Sequence, residues 1–165
     1  MKLRLNHILP IAFAIVLISC YTPYGAQTSG AKTFSVEYFK PQTPLASPIV
    51  AQNFTEELRD LIQRQSTLQL IDTKGELRFE GSITDYRVSP VGVSDGETAS
   101  RNRLTVTVKV KYTNTLEPDL SFERNFTRFA DYESSQDLLT VEEQLTGEIN
   151  EQLTQEIFNA SLGNW

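Results

Sequence analysis

The chain has 165 residues, 21 acidic against 15 basic side chains, a formal net charge of −6, and one histidine and one cysteine. That length suits a single domain, and no nucleic-acid partner is expected of so acidic a chain. With one imidazole and one thiol, histidine–cysteine metal clusters are excluded from the start.

Residues 1–7 carry Lys2 and Arg4 and no acid, and residues 8–18 are apolar apart from Pro10. A basic start, a short apolar run and a small residue at its end make a secretory signal peptide. Eleven apolar residues are too few for a membrane-spanning helix, which needs roughly 20. The boundary, Leu17-Ile18-Ser19-Cys20, resembles the bacterial lipobox. There an aliphatic residue and a small residue precede a cysteine that is acylated and becomes the new N-terminus. The alternative is a plain signal peptide whose boundary happens to hold a cysteine. Acylation of Cys20, palmitate included, implies a stable membrane tether, because several chains bury enough CH₂ groups where one chain is marginal.

Loss of residues 1–19 would remove His7, Lys2 and Arg4, leaving 13 basic residues against 21 acidic ones, a net charge near −8. No imidazole and no free thiol would remain for nucleophilic or metal catalysis. A carboxylate pair could still serve as acid and base, but no pair falls into a motif and no glycine-rich phosphate loop is present. The chain therefore reads as a non-enzyme that needs no cofactor and no metal.

Residues 20–32 follow as the acylated cysteine and a spacer rich in Gly, Ser, Thr and Pro, and residues 33–165 as one domain. The alternation Phe34, Val36, Tyr38 predicts a strand over 33–39. Ser47 and Pro48 suit a helix N-cap and first turn, and Val50, Phe54, Leu58, Leu61 and Ile62 then lie on one stripe of a helix over 48–65. Residues 68–72 read as a short strand and 73–75 as a turn. Leu77, Phe79, Gly81 and Ile83 alternate until the phase slips at Tyr86 and Val88, which predicts a bulge. Residues 93–101 form a polar loop expected to be mobile. In 102–114, Leu104, Val106, Val108, Val110 and Tyr112 face one way, and Arg103, Thr105, Thr107, Lys109 and Lys111 the other. Leu120, Phe122 and Phe126 open a further strand to about Ala130, with Phe122, Phe126 and Phe129 assigned to the core.

The last element is a helix with Thr140 and Glu143 as a capping box. Val141, Leu145, Ile149, Leu153 and Ile157 make a slanting stripe with Phe158 and Leu162. Its charges are all acidic: Glu142, Glu143, Glu148, Glu151 and Glu156. They form either a solvated face or a surface turned to a basic partner. The order β-α-β-β-β-β-α predicts an α+β two-layer sandwich, with two helices on one face of a four- to five-stranded, mostly antiparallel sheet. The other face would carry Thr, Lys and Arg in the open.

The lipobox, the spacer and this order of elements, with "FTEELRDLIQRQSTLQLIDTKGELRFEGSITDY", "NRLTVTVKVKYTN", "FERNFTRFADYESSQDL" and the closing "EQLTQEIFN…NW", resemble a divergent branch of the LptE lipopolysaccharide-assembly lipoprotein family. The resemblance spans the mature chain, and the family has no catalytic motif. It implies an outer-membrane lipoprotein facing the periplasm, which plugs and helps assemble the LptD β-barrel and serves lipopolysaccharide delivery. Tyr21 after the cysteine is compatible with that destination. The acidic net charge departs from what a binder of anionic glycolipid would have. A structural lipoprotein of another envelope complex is the second reading, and a carboxylate hydrolase the third. If lipopolysaccharide or an acidic barrel wall is met, Arg103, Lys109, Lys111, Arg124 and Arg128 are the candidates, expected as one basic patch on consecutive strands. The competing reading is that surface strands carry Lys for solubility.

Overall fold

The computed structural model describes residues 26–92 and 101–163. The signal peptide, Cys20, most of the spacer, residues 93–100 of the polar loop and Trp165 lie outside the described residues. Two helices cover one face of a six-stranded mixed sheet, so the chain is α+β as expected. The strands are β1 (Thr33–Val36), β2 (Lys40–Pro41), β3 (Gln69–Leu70), β4 (Leu77–Val91), β5 (Arg101–Asn114) and β6 (Phe122–Glu133). The helices are α1 (Pro48–Gln65) and α2 (Leu138–Leu162). The order across the sheet is β3-β1-β4-β5-β6, with β2 also on β4. The long ladders β4–β5 and β5–β6 are antiparallel, and the parallel pairings are confined to the short strands β1, β2 and β3.

Ser47 caps α1 by accepting from the Val50 N–H at 3.3 Å, and Pro48 loses nothing at a position whose N–H has no helical partner. The expected stripe is the buried one, joined by Ala51 and Thr55. α2 starts earlier than the capping box predicts. Asp137 is its N-cap and accepts from the Leu139 N–H at 3.0 Å, which places Thr140 and Glu143 inside the first turns. Leu145, Ile149, Leu153, Ile157, Phe158 and Leu162 are all buried along it.

The strand expected over 33–39 breaks after Val36. Tyr38 is exposed, and Phe39 takes the core place, its ring edge-on to Phe54 at 5.1 Å between centroids. The Phe39 N–H, freed from any ladder, donates to the Thr55 hydroxyl at 3.2 Å. The space for that ring comes from Gly81, whose missing Cβ would lie 2.5 Å from it and 2.0 Å from the Lys109 carbonyl oxygen. The bulge in β4 falls between Ile83 and Asp85, at Thr84, and returns Tyr86 to the covered face. Val88, beyond it, is exposed. On β5 all five apolar residues of the expected face are buried. Leu120 stands exposed in a 3₁₀ turn before β6, and β6 runs on to Glu133.

Candidate interaction surface

The open face of the sheet is where the sequence places the five cations, and the β5–β6 register decides which of them share it. Tyr112 pairs with Phe122, so odd-numbered residues of β5 stand beside odd-numbered residues of β6. Arg103, Lys109 and Lys111 therefore lie on the open face beside Asp131, Asn125 and Glu123. Arg124 and Arg128 pair with the buried Val110 and Val106 and belong to the helix-covered side, at its rim. The expected single patch of five is two groups on opposite faces. Side chains alternate along a strand, so Arg124 and Arg128 share the face of Phe122 and Phe126, and the core assignment of those two rings already set both arginines apart from Arg103, Lys109 and Lys111.

Each group is already engaged. Arg128 reaches Glu156 of α2 at 2.8 Å and donates to the Thr127 carbonyl at 2.9 Å. Arg124 is exposed and lies over the Phe122 ring, 4.3 Å from its centroid. On the open face Arg103 holds Asp131 with two hydrogen bonds, of 2.7 and 3.0 Å, and stacks on Phe129 at 3.7 Å from the ring centroid. Phe129 is thus an exposed platform for a guanidinium and not the core residue expected. Lys111 pairs with Glu80 at 2.9 Å, and Lys109 with Glu123. The Arg103 hydrogen bonds hold the Asp131 carboxyl below its usual range, and the Lys109 ammonium does the same for Glu123. The Glu80 hydrogen bond raises Lys111. Three cations facing three carboxylates make this part of the surface a balanced ladder. An anion would bind there by displacing a carboxylate.

The acidic helix is partly engaged too. Tyr86 donates its hydroxyl to Glu142 at 2.5 Å, and burial, reinforced by that carboxylate, pushes the phenol well above its ordinary value. Glu143, Glu148 and Glu151 remain exposed. Between α1 and α2 a polar groove of about 370 Å³ is lined by Glu57, Arg64, Gln65, Glu151 and Gln155 among others, with Gln65 bonded to Gln155 across it at 3.2 Å. Among the described residues no group of acidic, histidine or cysteine side chains could hold a metal ion, and no helix is long and apolar enough to cross a membrane.

A family model described as LptE, lipopolysaccharide-assembly, matches residues 31–161, which is the whole folded unit from the end of the spacer to the last turn of α2. The chain belongs to the LptE family. That is a family of lipopolysaccharide-assembly lipoproteins and not of enzymes. No curated protein sequence matches the chain. Among solved structures it is similar to a minor lipoprotein from Acinetobacter baumannii, at 15% identity and a TM-score of 0.53 over 78% of this chain and 91% of that one. It is similar to an uncharacterized lipoprotein B from Nitrosomonas europaea, at 15% identity and a TM-score of 0.50 over 80% and 84%. A hypothetical protein from Chlamydia trachomatis shares the fold at 10% identity and a TM-score of 0.55, over 82% of this chain and all of that one. At these identities the likeness is one of fold.

Proposed function

We propose that this LptE-family lipoprotein is acylated at Cys20, held at the outer membrane facing the periplasm, and acts there as plug and assembly partner of an LptD-type β-barrel. The family match across residues 31–161 carries this reading, and the apolar run that ends in Leu17-Ile18-Ser19-Cys20 supports the anchor. Purification of the acylated chain in mild detergent tests it. A large β-barrel should co-purify, and a soluble or inner-membrane partner in its place would favour a structural role in another envelope complex. Cys20→Ala should leave an unprocessed or mislocalised precursor, since no other cysteine is present.

Direct contact with lipopolysaccharide phosphate or with an acidic barrel wall is assigned to Arg103, Lys109 and Lys111, which share a face. Arg124 and Arg128, at the covered rim, would meet a partner only from the β6 edge. Because the first three are charge-paired, their carboxylate partners act as competitors. Glu123→Gln and Glu80→Gln should therefore tighten binding of lipopolysaccharide, and Lys109→Gln with Lys111→Gln should weaken it and reduce its salt dependence. Equal binding by all three variants would remove the phosphate contact and leave the barrel assignment standing.

A further inference from the structure

At the end of the domain where the spacer enters, Glu76 joins two segments distant in the chain. The N–H groups of Lys32 and Thr33 donate to Glu76 Oε2 at 2.6 and 3.1 Å. The Glu76 carbonyl in turn accepts from the Thr115 N–H at 2.9 Å and from its hydroxyl at 2.8 Å. The incoming chain and the β5–β6 turn are thus locked to each other. The Gln27 N–H donates to the Leu162 carbonyl at 2.8 Å, which brings the last turn of α2 to the same end.

The turn is rigid. Asn114 Oδ1 accepts from the N–H groups of Leu116 and Glu117, both at 2.9 Å. The N–H groups of Leu120 and Ser121 donate to the carbonyls of Glu117 and Pro118, both at 3.0 Å. This frame holds Leu116 at 47% and Leu120 at 44% exposure. A fixed turn that presents two leucines needs a dry partner more than a mobile one does, because it cannot fold them away. Other exposed apolar side chains, Leu45, Ile49 and Leu139, stand at the starts of α1 and α2. Both helices run towards the spacer end, so Leu139 is separated from it by most of a 25-residue helix, about 35 Å at 1.5 Å per residue.

We propose that, before the domain enters a barrel, the Leu116–Leu120 turn is a second membrane contact, resting on the phospholipid leaflet that holds the Cys20 anchor and setting the orientation of the domain. The inference rests on acylation of Cys20. The six residue steps from Cys20 to Ala26 span at most about 20 Å, so an acylated cysteine keeps the spacer end, and no other, next to the leaflet. Two leucines are too little apolar surface to bind a bilayer alone, but the anchor raises their effective concentration at it. Charge selects the kind of leaflet. The turn carries Glu117 and Asp119 and no cation, and Glu76, bonded to it through Thr115, offsets Lys32. The partner is therefore a zwitterionic surface, and anionic lipid would repel the turn.

The test uses the acylated mature chain bound to phosphatidylcholine vesicles. Acylated Cys20 has no free thiol, so Leu116→Cys supplies the one site for an environment-sensitive fluorophore, and Thr107→Cys on the open sheet face is the control. The expected result is a blue shift and quenching by spin-labelled lipid at 116, absent at 107, and a smaller shift when the vesicles contain phosphatidylglycerol. A protein that floats with the vesicles while its label at 116 stays quenchable by aqueous iodide overturns the membrane contact alone. A label that becomes dry only when a β-barrel is co-reconstituted also overturns it, since the occupant is then protein. A chain that does not float at all overturns the anchor and the inference with it.

Discussion

The two faces of the sheet are built on different physics. On the covered face Leu104, Val106, Val108, Val110 and Tyr112 of β5 meet Ile149, Leu153 and Ile157 of α2, all nearly or wholly out of water. Fully burying such side chains stabilises by about 1.5–3 kcal/mol each. Burial also pushes the Tyr112 phenol up to about 12. On the open face the same strand presents Arg103, Lys109 and Lys111, each held by a carboxylate in or near water. Exposed pairs of this kind contribute little to stability because solvent screens them and long side chains lose freedom in making them. The covered face therefore determines whether the domain folds, and the open face is free to exchange one charged partner for another.

Mutations should separate the two faces sharply. Ile149→Ala removes a fully buried side chain against the sheet and should cost about 2–5 kcal/mol, read from denaturant unfolding. Gly81→Ala should cost about 1–3 kcal/mol, because the added methyl meets the Lys109 carbonyl and the Phe39 ring. Pairing it with Phe39→Leu should recover part of that loss; no recovery would mean that the backbone contact dominates.

Acid sharpens the contrast. Backbone hydrogen bonds from Lys32 and Thr33 lower Glu76, and hydrogen bonds to Lys109 and Arg103 lower Glu123 and Asp131. Each folded value lies below the unfolded one, so the stability these groups add is fully present above the unfolded values of 4.5 for Glu and 3.8 for Asp. It is lost as pH falls through the lower folded values. The melting temperature should drop below pH 4.5, and less steeply in Glu76→Gln. The smallest effect is expected of Lys109→Gln with Lys111→Gln, whose melting temperature should stay close to that of the unaltered chain. Glutamine is the cleaner replacement at these positions, since glutamate at 109 would face Glu123 across the strands.

Local period determined most of the architecture from the sequence alone. The stripe of α1 and the Ser47 cap are readable because a helix repeats every 3.6 residues and its first turn needs an acceptor. The alternation of β5 and the slip at Thr84 are readable for the same kind of reason. The cationic surface was only half readable. Arg124 and Arg128 share the parity of Phe122 and Phe126, so the apolar pattern of β6 already put them on the covered side; which β5 residues they flank follows only from the pairing of Tyr112 with Phe122. The break after Val36 depends on Gly81, 42 residues away from Phe39, leaving room for a ring. Phe129 has the opposite parity to Phe126 and stands on the open face beside Thr105, and only the pairing of β5 with β6 lays Arg103 against it. The Glu76 clamp joins residues more than 40 positions apart. Periodicity reports the face a residue shares with its own strand or helix; only contacts distant in the chain decide what that face meets.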